Sequence, residues 1–155
     1  GPLSSPAKVK KQVIGVYDKK WMIPFAEALK ENNVIHAYVV HSEDGMDEIS
    51  PFAKTNVVEL KDGKINEFTI NPKDLGISEG NIENLKGKNA QYNAEKIIDI
   101  YKGSTNEFSK SVALNTAAGL IVSGKEKDFK NAFDKASKHL SSGKVFEHLT
   151  KLQSK

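Results

Sequence analysis

Asp62-Gly63 sits between two runs of β-forming residues, Asn56-Val57-Val58-Glu59-Leu60-Lys61 and Lys64-Ile65-Asn66-Glu67-Phe68-Thr69-Ile70, and this pairing narrows the choice of fold more than any other stretch. A two-residue Asp-Gly connection between strands predicts a type I′ hairpin, whose turn residues must both take positive φ. Upstream, Val13–Tyr17 and His36–His41 read as short strands. Between them, Trp21, Met22, Phe25, Ala26 and Leu29 recur at helical spacing over Lys19–Asn32, with Pro24 restricting where the first turn begins and Asn32-Asn33 as the stop. Strand, helix, strand is a βαβ unit with parallel strands. After the hairpin, Asn81–Leu85 reads as a helical turn. Helices are then expected over Ala90–Tyr101, Glu107–Ser123, Lys125–Leu140 and Lys144–Leu152, the first three stopped by Gly103, Gly124 and Gly143. In Ala90–Tyr101 the expected apolar face is Ala94, Ile97, Ile98 and Tyr101. The expectation is an α/β chain: a partial, mostly parallel sheet with a β-hairpin and packed helices. Only two strands are available for the parallel core, fewer than such sheets usually have.

At 155 residues this is one domain's worth of chain, 1–155. It contains no cysteine, which removes disulfides and thiolate ligands and suits a reducing cytoplasm. No apolar run reaches the ~20 residues that span a bilayer, and the amino terminus lacks a signal-peptide core, so the reading is cytoplasmic, with no membrane partner. A net charge of +3 looks basic, yet the lysines are interleaved with Asp and Glu, which argues against nucleic acid. All 23 basic residues are lysine. An arginine clamp for a carboxylate or phosphate therefore has to come from elsewhere, or lysines and backbone amides serve instead.

The second strand of the βαβ unit runs into Ser42-Glu43-Asp44-Gly45-Met46-Asp47-Glu48-Ile49-Ser50, four carboxylates around a glycine. Loops at the carboxyl ends of strands are where open α/β sheets bind ligands, and clustered carboxylate oxygens suit a hard cation such as Mg2+. The plainer reading is a solvated acidic loop. The spacing is not that of a calcium loop. His41 beside the acids reads as a packed or hydrogen-bonding residue. Lys86-Gly87-Lys88-Asn89 reads as a helix-entry turn, and Asn93 and Asn115 as satisfying backbone groups.

Several stretches, taken in order, carry a family resemblance: Gly1-Pro2-Leu3-Ser4-Ser5-Pro6-Ala7, Pro24-Phe25-Ala26-Glu27-Ala28-Leu29, Val39 through Ser50, Thr55-Asn56-Val57-Val58-Glu59-Leu60, Leu85-Lys86-Gly87, Asn93-Ala94, Leu114-Asn115-Thr116-Ala117-Ala118 and Ser142-Gly143-Lys144. Together they resemble the carboxyl-terminal half of an anthranilate phosphoribosyltransferase. The resemblance implies the large-domain part of the nucleoside phosphorylase/phosphoribosyltransferase fold, without its helical domain. It also implies transfer of ribosyl phosphate from 5-phosphoribosyl 1-pyrophosphate to anthranilate in tryptophan biosynthesis. In that setting Asp47 and Glu48 match the motif that holds Mg2+ on the pyrophosphate, and Gly1 and Pro2 match a loop lining the anthranilate channel. A leading Gly-Pro can also remain after tag removal, but Leu3 to Ala7 continue the family pattern and the pair is read as native. Ser42 stands where a glycine is common, and Pro51-Phe52-Ala53-Lys54 replaces a glycine-containing run. The family's glycine-rich phosphate loop, Lys-His-Gly-Asn segment and anthranilate-gripping arginine all precede Gly1. The expectation is thus a fragment, inactive alone and monomeric, since family dimers form through the helical domain. The competing readings are a nucleoside phosphorylase-like enzyme and a non-catalytic binding module of the same superfamily.

Overall fold

The computed structural model describes residues 3–4, 6–78 and 80–154. Strand β1 (Lys11–Gly15) leads through a 3-10 turn at Lys19–Trp21 into helix α1 (Met22–Glu31) and back to β2 (His36–Ser42). Asp18 caps that turn by accepting from the Lys20 amide, so α1 starts at Met22, later than the periodicity of the apolar residues suggests. β1 and β2 pair in parallel, with Val13 opposite Tyr38 and Gly15 opposite Val40, as a βαβ unit requires. That register places the first strand two residues earlier than Val13–Tyr17.

β3 (Thr55–Lys61) and β4 (Lys64–Ile70) form the hairpin, and Asp62 at φ 49° with Gly63 at φ 78° gives the expected turn. The described sheet has the order β1-β2-β3-β4. Its parallel share is confined to β1–β2, since the hairpin folds back antiparallel onto β2, so the sheet is mixed where a mostly parallel one was expected. β2 is buried on both faces, whereas β4 is largely exposed, as an edge strand is.

Two cores flank the sheet. Helix α1 covers one face, closing Met22, Ala26 and Leu29 over Ile14, Val39, Val58 and Leu60. Helix α3 (Glu107–Ser123) covers the other, with Ala113, Leu114, Ala117 and Ala118 against Val40, Val57 and Ile49. Small residues let α3 lie close to the sheet, and most of its residues are buried or half-buried, with Val112 and Thr116 exposed. Its start is fixed by reciprocal Asn106 and Ser109 hydrogen bonds, and its end by Gly124 at φ 79°. Helix α2 (Ala90–Tyr101) and α5 (Lys144–Gln153) pack at the side of α4 (Phe129–Ser141). Asp128 caps α4, which therefore begins at Phe129 and not at Lys125. In α2 the expected face is not the buried one: Ile100 is the buried residue, while Ile97 and Ile98 are exposed. Among the described residues no helix is long and apolar enough to cross a membrane.

Candidate metal centre at the carboxyl end of the sheet

The acidic loop leaves β2 at Ser42 and returns to the sheet at Thr55. Its shape comes from its own polar groups. Glu43 N donates to Lys54 O at 2.9 Å and Ser42 N to Met46 O at 2.9 Å, closing the two ends. Asp44 turns inward: Oδ1 accepts from the Met46 amide at 3.3 Å and Oδ2 from the Ser50 hydroxyl at 2.5 Å. Ser50 Oγ in turn accepts from the Phe52 and Ala53 amides, and its own amide donates to buried Thr55 Oγ1. Gly45 takes φ 90°, open to glycine at no steric cost. Ser42 is fully buried, and its hydroxyl donates to Lys54 O at 3.3 Å.

With Asp44 committed to the loop, the adjacent pair Asp47 and Glu48 is left outward. Both are exposed, and neither forms an ion pair among the described residues. The Asp47 main chain rests directly on the end of β1, where a Cβ added to Gly15 would lie 1.4 Å from the Asp47 carbonyl oxygen. Asp47 also lines a cavity of about 360 Å³ with Gly15, Val16, Tyr17, Trp21 and Phe25. Glu48 leans the other way, against α3. Burial there pushes its carboxyl above the ordinary range, the Asp47 charge adds to the rise, and the Ser111 hydroxyl partly opposes it.

Asn115 of α3 ties this segment to the core. Its Oδ1 accepts from the Ile49 amide at 2.9 Å, and its Nδ2 lies 3.0 Å from Ser111 O, 3.1 Å from Ile49 O and 3.3 Å from Glu48 Oε2. The expectation that Asn115 satisfies backbone groups holds. So does the reading of His41, whose Nδ1 lies 2.9 Å from Val16 O and fastens β2 to the segment after β1. Asn93 likewise caps a backbone group, accepting from Lys88 N at 3.1 Å.

Oxygen-only donors suit Mg2+, which is commonly held by one or two carboxylates together with substrate phosphates. Asp47 and Glu48 fit that pattern. No group of three or more His, Cys, Asp or Glu among the described residues forms a closed cage. A cation between the two carboxylates would also offset their mutual repulsion.

A model of the glycosyl transferase family, a/b domain, matches residues 1–146. The chain belongs to this glycosyl transferase family. Anthranilate phosphoribosyltransferase of Pelagibacter ubique is 54% identical over 153 residues, covering 99% of this chain and 46% of that protein. The crystal structure of anthranilate phosphoribosyltransferase from Thermus thermophilus superposes with a TM-score of 0.87 at 32% identity, covering 97% of this chain and 44% of that one. A variant of the Saccharomyces cerevisiae anthranilate phosphoribosyltransferase with Mg bound gives 0.85 at 25% identity, again covering 97% of this chain and 44% of that one. The chain thus spans slightly under half the length of the relatives it matches. The α/β class and the family likeness expected from the sequence agree with these matches.

Within this glycosyl transferase domain, Asp47 lies beside the end of β1 and Glu48 beside α3, both exposed, whereas Gly1 and Pro2 lie outside the described residues. Sequence reasoning missed Gly15. A glycine inside the run Val13-Ile14-Gly15-Val16 was the available signal, because glycine within a strand often marks close approach of another backbone. It also missed the inward use of Asp44, which is a matter of hydrogen-bond partners and not of residue type.

Proposed function

We propose that residues 1–155 form the metal-holding α/β unit of an anthranilate phosphoribosyltransferase, with Asp47 and Glu48 as the protein ligands of Mg2+. The observation that carries the reading is the loop's division of labour: Asp44 is used up inside it, while the adjacent pair is presented at the carboxyl end of the sheet. In the reaction, the bond between ribose C1 and the pyrophosphate oxygen breaks, the anthranilate nitrogen bonds to C1, and the amine proton passes to solvent. Mg2+ held by Asp47 and Glu48 would supply positive charge against the negative charge growing on the leaving pyrophosphate. The chain's own part is to hold that cation rigidly, through a loop pinned to β1 at Gly15 and to α3 at Asn115. No protein nucleophile is needed.

Gly1 and Pro2 are proposed as an apolar wall of the anthranilate channel. The phosphate-binding loop and the arginine that grips anthranilate belong, on this reading, to the rest of the length that the relatives have and this chain does not span. Among the described strands β1 pairs on one side only, although Val13 and Ile14 pack into the cores on both faces, consistent with a sheet that continues beyond it. A homodimer through the helical domain, and a monomer for these residues alone, complete the proposal.

Loss of anthranilate fluorescence with 5-phosphoribosyl 1-pyrophosphate and Mg2+ tests it. A full-length protein carrying this chain is expected to turn over, Asp47→Asn and Glu48→Gln to lower the rate by about 10²- to 10³-fold, and the 155-residue chain alone to be inactive. Full activity in the two variants would remove the metal assignment, and turnover by the isolated chain would remove the need for a second half.

A further inference from the structure

Asn115 makes more contacts than its amide can satisfy at once. Nδ2 carries two hydrogens and faces three acceptors: Ser111 O at 3.0 Å, Ile49 O at 3.1 Å and Glu48 Oε2 at 3.3 Å. The two shorter contacts are to main-chain oxygens, and the longest is to the carboxylate. On its other side Oδ1 accepts from the Ile49 amide at 2.9 Å, so a single side chain grips both polar groups of the residue that follows Glu48. Ile49 itself is fully buried beneath the loop. Ser111, one helical turn earlier on the same face of α3, is buried, and its main-chain oxygen is one of the Asn115 acceptors.

We infer that Asn115 is a positioning residue for the metal pair. It locks the backbone at Ile49 by two hydrogen bonds and holds Glu48 by a third, weaker one that the carboxylate can leave to meet a cation. The inference rests on the proposed metal function of Asp47 and Glu48. The division follows from the distances: when Glu48 turns onto Mg2+, both Nδ2 hydrogens still have main-chain acceptors, so no buried donor is stranded and the loop does not reopen. Groups that orient metal ligands from behind commonly change metal affinity or activity by about 10- to 100-fold when removed.

The test uses Asn115→Ala and Asn115→Ser in the full-length protein that carries this chain. In the serine variant the new hydroxyl can bond back to the Ser111 carbonyl within α3, which keeps that contact of the native side chain while releasing Ile49. Two quantities are read. Binding of Mn2+ in the presence of pyrophosphate, followed by electron paramagnetic resonance, is expected to weaken about 10- to 100-fold, and the Mg2+ midpoint for turnover is expected to rise in step, with the rate largely recovered at saturating Mg2+. Hydrogen exchange at the Ile49 amide in the metal-free protein is expected to quicken at least about tenfold as its acceptor is lost.

A residue that only supported the fold would lower turnover at every Mg2+ concentration and leave the midpoint in place, and that result overturns the inference. So does unchanged Mn2+ binding, whatever happens to Ile49. If the wild-type protein itself binds no Mn2+ and shows no Mg2+ dependence, the proposed function fails first and the inference falls with it. Wild-type binding with unaltered variants removes the inference alone.

Discussion

At the amino end of β2, His36 Nε2 lies 2.8 Å from Glu59 Oε1, both side chains are largely buried, and the Tyr38 ring packs edge-on against the imidazole. At its carboxyl end, Asp47 and Glu48 stand side by side and exposed, with no ion-pair partner among the described residues. One strand thus leads from a charged group paired within the chain to two carboxylates that no cation of the described residues pairs. A buried polar group without a partner is costly, so the first cluster is arranged for stability. Two adjacent carboxylates repel, and on the function proposed above a cation from outside the chain offsets that repulsion. Groups held at some cost to the fold are a mark of functional sites.

The largest expected way to break this contrast is Gly15→Ala. The added Cβ would lie 1.4 Å from the Asp47 carbonyl oxygen, and both atoms belong to main-chain segments that cannot simply rotate aside. Either the loop lifts from β1 or the strand shifts. Overpacking of this kind typically costs about 1–3 kcal/mol, and Mn2+ binding is expected to fall by more than about tenfold. Urea unfolding and Mn2+ titration measure the two effects. Unaltered metal binding would mean that contact with β1 does not set the position of Asp47.

Next in size is Glu59→Ala at the other end, which leaves the His36 ring nitrogen without its partner. The expected loss is about 1–3 kcal/mol of stability in urea unfolding, with Mn2+ binding unchanged. A change in metal affinity would show that the two ends are coupled and would undo the contrast.

Tyr38 gives a smaller effect with a definite sign. Burial, and then the Glu59 charge, push its phenol above the ordinary tyrosine range. A group whose folded pKa is raised contributes fully below its unfolded value and loses that contribution as pH climbs past it. Stability is therefore expected to decline as pH rises above about 10, more steeply in the wild type than in Tyr38→Phe. Equal slopes from pH-dependent urea unfolding would mean that the phenol ionises freely in the folded state.

What could be read from the sequence follows the range of the interaction. The Asp62-Gly63 turn and the bounds of α2 and α3 depend on neighbours within a few residues, and the observed elements match. Helix α4 starts late because Asp128 caps it, and α1 starts late because Asp18 caps a 3-10 turn ahead of it, local signals that apolar periodicity alone passes over. The exposed side of α2 departs for a different reason. Periodicity identifies an apolar face but not which partner covers it, and Ile97 and Ile98 face away from the core that Ile100 enters. In the site, the acidic pair could be read as residue types in a row, whereas Gly15, Asp44 and Asn115 matter through contacts between segments far apart in sequence or through partners that residue type does not reveal.

The smallest effect expected is also the one that sets function directly against stability. Burial against α3, and then the Asp47 charge, raise the Glu48 carboxyl above its ordinary value, with Ser111 partly opposing. A carboxyl with a raised folded pKa favours the fold fully while it is protonated, below the unfolded carboxyl range, and loses that contribution as pH rises through the folded value. Above the unfolded carboxyl range the raised value is therefore a burden on the metal-free fold. Glu48→Gln lifts the burden, so in chelator the variant's Tm should exceed that of the wild type at pH 7, and the difference should shrink as pH falls below about 4. Adding Mg2+ with pyrophosphate should narrow or reverse the order, because a ligand that binds only the native state raises the Tm of the protein that can bind it. A variant that is less stable than the wild type in chelator at pH 7 would show that Glu48 is held for the fold, and the difference between the two ends of β2 would lose its meaning.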